Sequence, residues 1–167
     1  MRRIDAVASV AADYNRWCNF LENKVEFWMN VSVLHTREHC SRVLLYALLI
    51  ADKIVVSDKE KEVLCHAAVF HDSRRQDDWQ DVGHGQRAAD YYQSYCAENS
   101  LEYHPWSYDI MAWHDRDDES GKDAMKEDVT GREILLYQIF KDADALDRFR
   151  LGPDGLDVKY TCAHRRP

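Results

Sequence analysis

The chain has few of the residues that interrupt helices: three prolines and six glycines in 167 residues. Long uninterrupted helices are therefore favoured. No Val/Ile/Thr alternation bounded by turns is present, which argues against a sheet. No apolar run approaches the ~18 residues of a membrane span. Two arginines near the N-terminus are followed by neither an uninterrupted apolar stretch nor a cleavage site, so no secretory signal is read there. The five cysteines are odd in number and include no C-x-x-C pair. With Cys40, Cys65 and Cys96 inside apolar helical patterns, they read as buried reduced thiols, and the expected location is cytoplasmic. Neither a P-loop nor a G-x-G-x-x-G occurs, which disfavours ATP and NAD chemistry of those types.

The composition is 46% hydrophobic and 31% charged, that of an ordinary globular protein. A formal charge of −8 argues against an extended nucleic-acid or anionic-membrane surface. It leaves room for a phosphorylated substrate, because bound cations reverse a local field.

Periodicity predicts an all-α, single-domain bundle of five to seven helices over residues 1–167. The first helix is expected from about Ile4 to Met29 and the second from about Thr36 to Val56. Ser57-Asp58-Lys59-Glu60 is a capping-box sequence opening the third, which ends at His71-Asp72. A fourth runs from His84 or Gly85 to about Glu98. A fifth starts near Pro105 and carries Ile110, Met111 and His114 on one face. Asp115 to Asp128 reads as a charged loop. Thr130-Gly131-Arg132-Glu133 is a second capping-box pattern, starting a sixth helix to about Phe149, on which Leu135, Gln138, Ile139, Asp142 and Leu146 are expected to share a face.

The most informative feature is the doublet His71-Asp72, closing the run Val63 to Phe70. Leu64, Ala67, Ala68 and His71 fall at i, i+3, i+4 and i+7, so His71 continues a buried stripe. A carboxylate at the edge of a core is costly unless a cation meets it. His39, His84, His114 and Asp142 are further imidazoles and acids on other predicted helices. Bundles assemble metal sites from such inward groups. Nitrogen and oxygen ligands of this kind suit Mn, Fe, Co, Ni, Zn or Mg, one ion or two.

The order H…HD…D, here His39, His71-Asp72 and Asp142, resembles that of the HD-domain metal-dependent phosphohydrolases. His39-Cys-Ser-Arg42-Val43 is similar to the family's H-x-x-R-V helix, Ala67-Ala68-Val69-Phe70-His71-Asp72 to its A-A-L-x-H-D segment, and Asp142-Ala143-Asp144-Ala145-Leu146-Asp147 to its D-A-D-x-L-D segment. The resemblance spans about residues 35–150. It implies that His39, His71, Asp72 and Asp142 bind one metal ion, with His84 and His114 placed to hold a second and Asp72 bridging the two. It implies hydrolysis of a phosphomonoester or phosphodiester, of a nucleotide or small metabolite, by metal-activated water. Asp72 and Asp142 would serve catalysis, and Asp142 would help orient the water.

Arg74 and Arg75, shortly after the doublet, are candidates to fork onto phosphate oxygens with Asp77 or Asp78 orienting them. The alternative for them is a solvated loop with surface ion pairs. This segment departs from family members that carry a glutamate shortly after the doublet. His35 either positions substrate or packs. Asp144 and Asp147 are candidate partners for histidine N–H groups or for Arg148. His66 and His104 carry no assigned role. A di-iron oxygenase on the same scaffold and a non-catalytic nucleotide-binding module remain alternatives. The sequence leaves the oligomeric state open.

Overall fold

The computed structural model describes residues 2–29 and 37–148, with side chains from residue 8. Helices α1 (Arg2–Lys24), α2 (Arg37–Ile54), α3 (Asp58–Phe70), α4 (His84–Glu98), α5 (Pro105–Trp113), α6 (Asp118–Ala124) and α7 (Arg132–Asp147) are its regular elements, and no strand occurs among the described residues. The fold is an all-helical bundle. None of the described helices is long and apolar enough to cross a membrane.

α3 lies at the centre. Every residue from Val63 to Phe70 is buried, because α1, α2, α5 and α7 all pack against it. From Val63 onward the helix is therefore enclosed on every side, and its buried residues are not confined to one stripe. Phe70 anchors an aromatic group with Phe20, Tyr91, Tyr92 and Tyr95, at ring-centroid separations of 5.3–6.0 Å. α2 packs on α1, α3 and α7, while α4 pairs with α5. These two groupings bring the start of α2, the end of α3, the start of α4, the end of α5 and the last turns of α7 to one end of the bundle.

The Ser57 capping box forms as expected. Glu60 N donates to Ser57 Oγ at 3.3 Å, and Ser57 N donates to Glu60 Oε2 at 2.7 Å. Three local expectations are corrected. α1 stops at Lys24, short of Met29. The charged loop after Asp115 contains the helix α6, whose first turn is capped by Asp117. The second capping box is not made, because Gly131 takes the N-cap position with φ 66° and carries no capping side chain. Asp128 supplies the cap instead, accepting from Glu133 N at 2.9 Å and from Thr130 N at 3.0 Å.

Glu133 itself is buried, and its Oε1 has no hydrogen-bond partner. Burial, then the charge of and a hydrogen bond with Asp109, push its carboxyl up to about 8. The unfolded carboxyl releases its proton near 4.5, so folding becomes less favourable as pH rises from about 4.5 to about 8. Glu133→Gln should leave stability unchanged near pH 4 and raise it at pH 8 by on the order of 1–2 kcal/mol. Denaturant titrations at the two pH values measure the difference.

Candidate metal centre

Five elements each deliver a side chain to one end of the bundle. His39 is in the first turn of α2, His71 caps α3 with Asp72 next to it, His84 opens α4, His114 caps α5, and Asp144 is near the end of α7. All four histidines and Asp72 are at most 5% exposed.

The imidazoles are oriented by their Nδ1 atoms. Those of His71, His84 and His114 face the carbonyl oxygens of Ala68 (2.9 Å), Asp81 (2.6 Å) and Met111 (2.7 Å). A carbonyl only accepts, so each of these nitrogens carries the proton. His39 Nδ1 likewise donates to Asp147 Oδ2 at 2.6 Å. In the neutral rings every Nε2 is then a bare lone pair. These lone pairs converge: His39 and His71 Nε2 are 3.2 Å apart, and His84 and His114 Nε2 are 3.0 Å apart. Two acceptors at such a distance repel unless a proton or a metal cation lies between them.

Asp72 sits between the two pairs. Its Oδ2 is 3.5 Å from His39 Nε2 and 3.9 Å from His71 Nε2. Its Oδ1 is 3.1 Å from His84 Nε2 and 3.8 Å from His114 Nε2. Asp144 Oδ1 approaches His39 Nε2 at 3.3 Å. Ligating atoms of His39, His71 and Asp144 lie within 4.8 Å of one another, as do those of His71, Asp72 and His114. Buried histidine and aspartate groups that could hold a divalent metal ion therefore meet here, and the donor set of imidazole and carboxylate fits one.

The local field favours positive charge. Burial opposes protonation of His39, yet hydrogen bonds to Asp144 and Asp147 and the charge of Asp72 push it up to about 9. His71, wholly enclosed, is pushed down to about 3 by burial. Burial would raise Asp144, but His39 and the neighbouring imidazoles hold it well below the usual carboxylate range.

Backbone approach also shapes the site. A Cβ at Gly85 would collide with the Met111 carbonyl oxygen and stand 2.9 Å from His114 Nδ1. Glycine there lets α4 come close enough to α5 for His84 to meet His114. Asp115 ties the same junction, accepting from Gly83 N at 2.5 Å and Gly85 N at 3.3 Å.

The centre opens into a cavity of about 780 Å³ lined by Arg75, Arg116, Lys141 and Arg148 among its cations and by Asp78, Asp81, Asp117, Asp118 and Glu119 among its acids. Lys141 Nζ donates to His114 O at 2.6 Å and is 3.3 Å from Asp118 Oδ1.

His39, His71, Asp72, His84 and His114 are thus brought together, whereas Asp142 is not. α7 buries Leu136, Ile139, Phe140, Ala143 and Asp147, a face broader than the one predicted through Leu135, Ile139 and Asp142. Asp144 lies two residues, roughly 200°, round the helix from Asp142, and it is the acid whose carboxylate approaches His39. Arg74 is also corrected. It turns away from the cavity, lying over the Tyr91 ring at 3.3 Å from its centroid and donating to Glu26 O at 2.5 Å. Arg75 does enter the site, its Nη1 3.1 Å from His84 Nε2 and 3.7 Å from Asp72 Oδ1. Asp77 does not orient it by its carboxylate. That group caps Trp79 N at 2.7 Å, and only the Asp77 carbonyl accepts from Arg75 Nε, at 3.2 Å. His35 lies outside the described residues. Asp147 holds the His39 N–H and also accepts from Arg42 Nε at 2.5 Å. Asp115, Arg116 and Lys141 were not foreseen. The acid directly after His114 repeats the pattern of the His71-Asp72 doublet, which is the signal that marks Asp115.

No protein-family model matches the chain, and neither a curated protein nor a solved structure matches it.

The two acids on α7 separate cleanly by experiment. Asp144→Asn should weaken metal retention by at least ~10-fold, whereas Asp142→Asn should leave it near the wild-type level. Metal content after dialysis against graded chelator reads the difference.

Proposed function

We propose that the protein is a metal-dependent phosphoric-ester hydrolase acting on a small phosphorylated molecule such as a nucleotide. The observation that carries this reading is the division of Asp72, one oxygen toward His39 and His71 and the other toward His84 and His114. A carboxylate so placed suits the bridge between two divalent ions. The order of His39, His71-Asp72 and Asp144 agrees with the HD-domain pattern, read with the second aspartate of Asp142-Ala143-Asp144 as its closing member.

Bound at such a site, a divalent ion acidifies water and takes charge from a phosphoryl oxygen. His39, His71, Asp72 and Asp144 would hold one ion, and Asp72, His84 and His114 the other. Asp147, Ala68, Asp81 and Met111 keep the imidazoles in the ligating tautomer through their Nδ1 protons. Asp144, held far on the ionised side, is too weak a base to carry a proton at neutral pH. It serves as ligand and as acceptor for a water hydrogen.

Arg75 supplies the anion contact. Its Nη2 donates to Trp79 O at 2.6 Å, which fixes the guanidinium beside the doublet so that a phosphoryl oxygen would meet it without a large reorganisation. Lys141, which lines the same cavity, offers a second cation. The acids around the mouth disfavour a long polyanion, since a nucleic-acid strand would carry repulsive charge past them.

A screen of nucleotides, sugar phosphates and model diesters with Mn²⁺, Co²⁺, Ni²⁺ or Fe²⁺ tests the assignment. Phosphate release is expected, lost at least ~100-fold in Asp72→Ala together with metal content. Arg75→Ala should retain the metal and lower kcat/KM by about 10- to 100-fold. Full metal content and turnover in Asp72→Ala would overturn the assignment. So would iron with a redox-sensitive absorbance and no phosphate release, which is the signature of oxygen chemistry, or nucleotide binding without turnover across all the metals.

A further inference from the structure

A second group of ligating side chains lies at the other end of α3. Glu62 precedes His71 by two and a half turns, roughly 13 Å along the axis. Facing it are Glu102 and His104, in the segment that leads into α5. Ligating atoms of Glu62, Glu102 and His104 lie within 4.8 Å of one another.

His104 makes this more than a pair of surface acids. The residue is 2% exposed, and its Nε2 is buried without a hydrogen-bond partner. Glu62 Oε2, at 3.9 Å, is too far for a hydrogen bond. Whichever tautomer the ring takes, that nitrogen lacks either an acceptor or a donor, a defect a folded protein seldom leaves and one that a bound cation would remedy. The surroundings hold the ring and the first glutamate in place. His104 N donates to Tyr92 Oη at 2.8 Å. Arg16 holds Glu62 Oε1 at 2.6 Å, which leaves Oε2 turned toward the histidine. Behind His104 stands His66, with a ring-centroid separation of 5.0 Å. Burial, and then the proximity of His104, push His66 down to about 3, so it adds no charge at neutral pH. Lys59 Nζ, 3.9 Å from Glu102 Oε1, reaches the group from its solvent side. Glu102 is exposed and free to close the remaining distance by a rotamer change.

We propose that Glu62, Glu102 and His104 form a separate divalent-cation site, suited to Zn²⁺, Co²⁺ or Ni²⁺, that clamps the segment before α5 onto α3. One imidazole and two carboxylates are a borderline set selecting these ions over Mg²⁺ or Ca²⁺. Three protein ligands leave coordination positions for water. The site shares no residue with the centre at His71-Asp72, so each can be emptied independently.

The test is Zn²⁺ binding to the full chain, with stoichiometry and thermal midpoint measured together. Glu62→Gln combined with Glu102→Gln alters only side chains outside the buried core, and should remove one equivalent of Zn²⁺ and the rise in Tm that accompanies it. Phosphate release, where present, should be unchanged. His104→Gln should weaken the same equivalent by at least ~10-fold. A Co²⁺-loaded sample of the Asp72→Ala protein provides a second readout, in which hyperfine-shifted proton resonances of one histidine should appear and vanish with His104→Gln. The proposal is overturned if the double glutamine variant binds as many equivalents as wild type with the same Tm shift, or if no His104-dependent resonance appears. Loss of Zn²⁺ on Asp72→Ala alone reports on the other centre and leaves this outcome readable.

Discussion

A carboxylate enclosed among imidazoles governs the architecture at one end of this bundle. Asp72 is 3% exposed, and an enclosed anion is tolerated only where positive charge compensates it. Arg75 supplies part of that charge at 3.7 Å. His39, pushed up to about 9, supplies more of it from 3.5 Å, while the Nε2 atoms of the neutral rings point at one another. The group is therefore organised around a demand for positive charge, whether from protons or from a metal ion. Helix packing satisfies this demand by bringing five chain segments to the same place, and each imidazole is held by a backbone carbonyl or by Asp147, not by solvent.

The bundle itself follows from simpler rules. A helix buried from Val63 to Phe70 fixes the central axis, and the helices around it present their apolar stripes to it. The polar machinery occurs where these stripes end: His71 and His114 are C-caps, and His84 opens its helix. A helix terminus is where a side chain can leave the apolar face without losing an intrahelical hydrogen bond, and where last-turn carbonyls such as those of Ala68 and Met111 have a lone pair available to accept an Nδ1 proton.

Much of this was legible in the chain. The helical pattern, the Ser57 cap and the meeting of His39, His71, Asp72, His84 and His114 could all be anticipated, because each rests on local periodicity and residue type. What failed were matters of angular phase and rotamer. On α7 Ile139 is buried as expected, but so are Leu136 and Phe140, and only contact with α2 and α3 shows how far round the helix the enclosed face extends. That extent, not the apolar pattern, sets Asp144 and not Asp142 beside His39. Arg74 and Arg75 are equivalent in sequence, and the turn after His71 points them in opposite directions. Asp115 and Lys141 act through backbone groups of other helices, for which one strand of sequence carries no signal beyond the His-Asp repeat.

The outward course of Arg74 has a consequence for where this unit begins. Its guanidinium lies on Tyr91 and near the Trp28 ring and donates to Glu26 O, while Trp28 N donates to Ser73 O at 3.0 Å and Arg37 donates to Val25 O at 2.9 Å. Residues 25–28 are thereby laced along the turn that carries His71 and Asp72. The stretch of about 35–150 that bears the recognisable residues is thus not self-sufficient. Its most sensitive turn leans on a strap donated from upstream, so the smallest fragment that keeps the doublet in register must include residues 25–28.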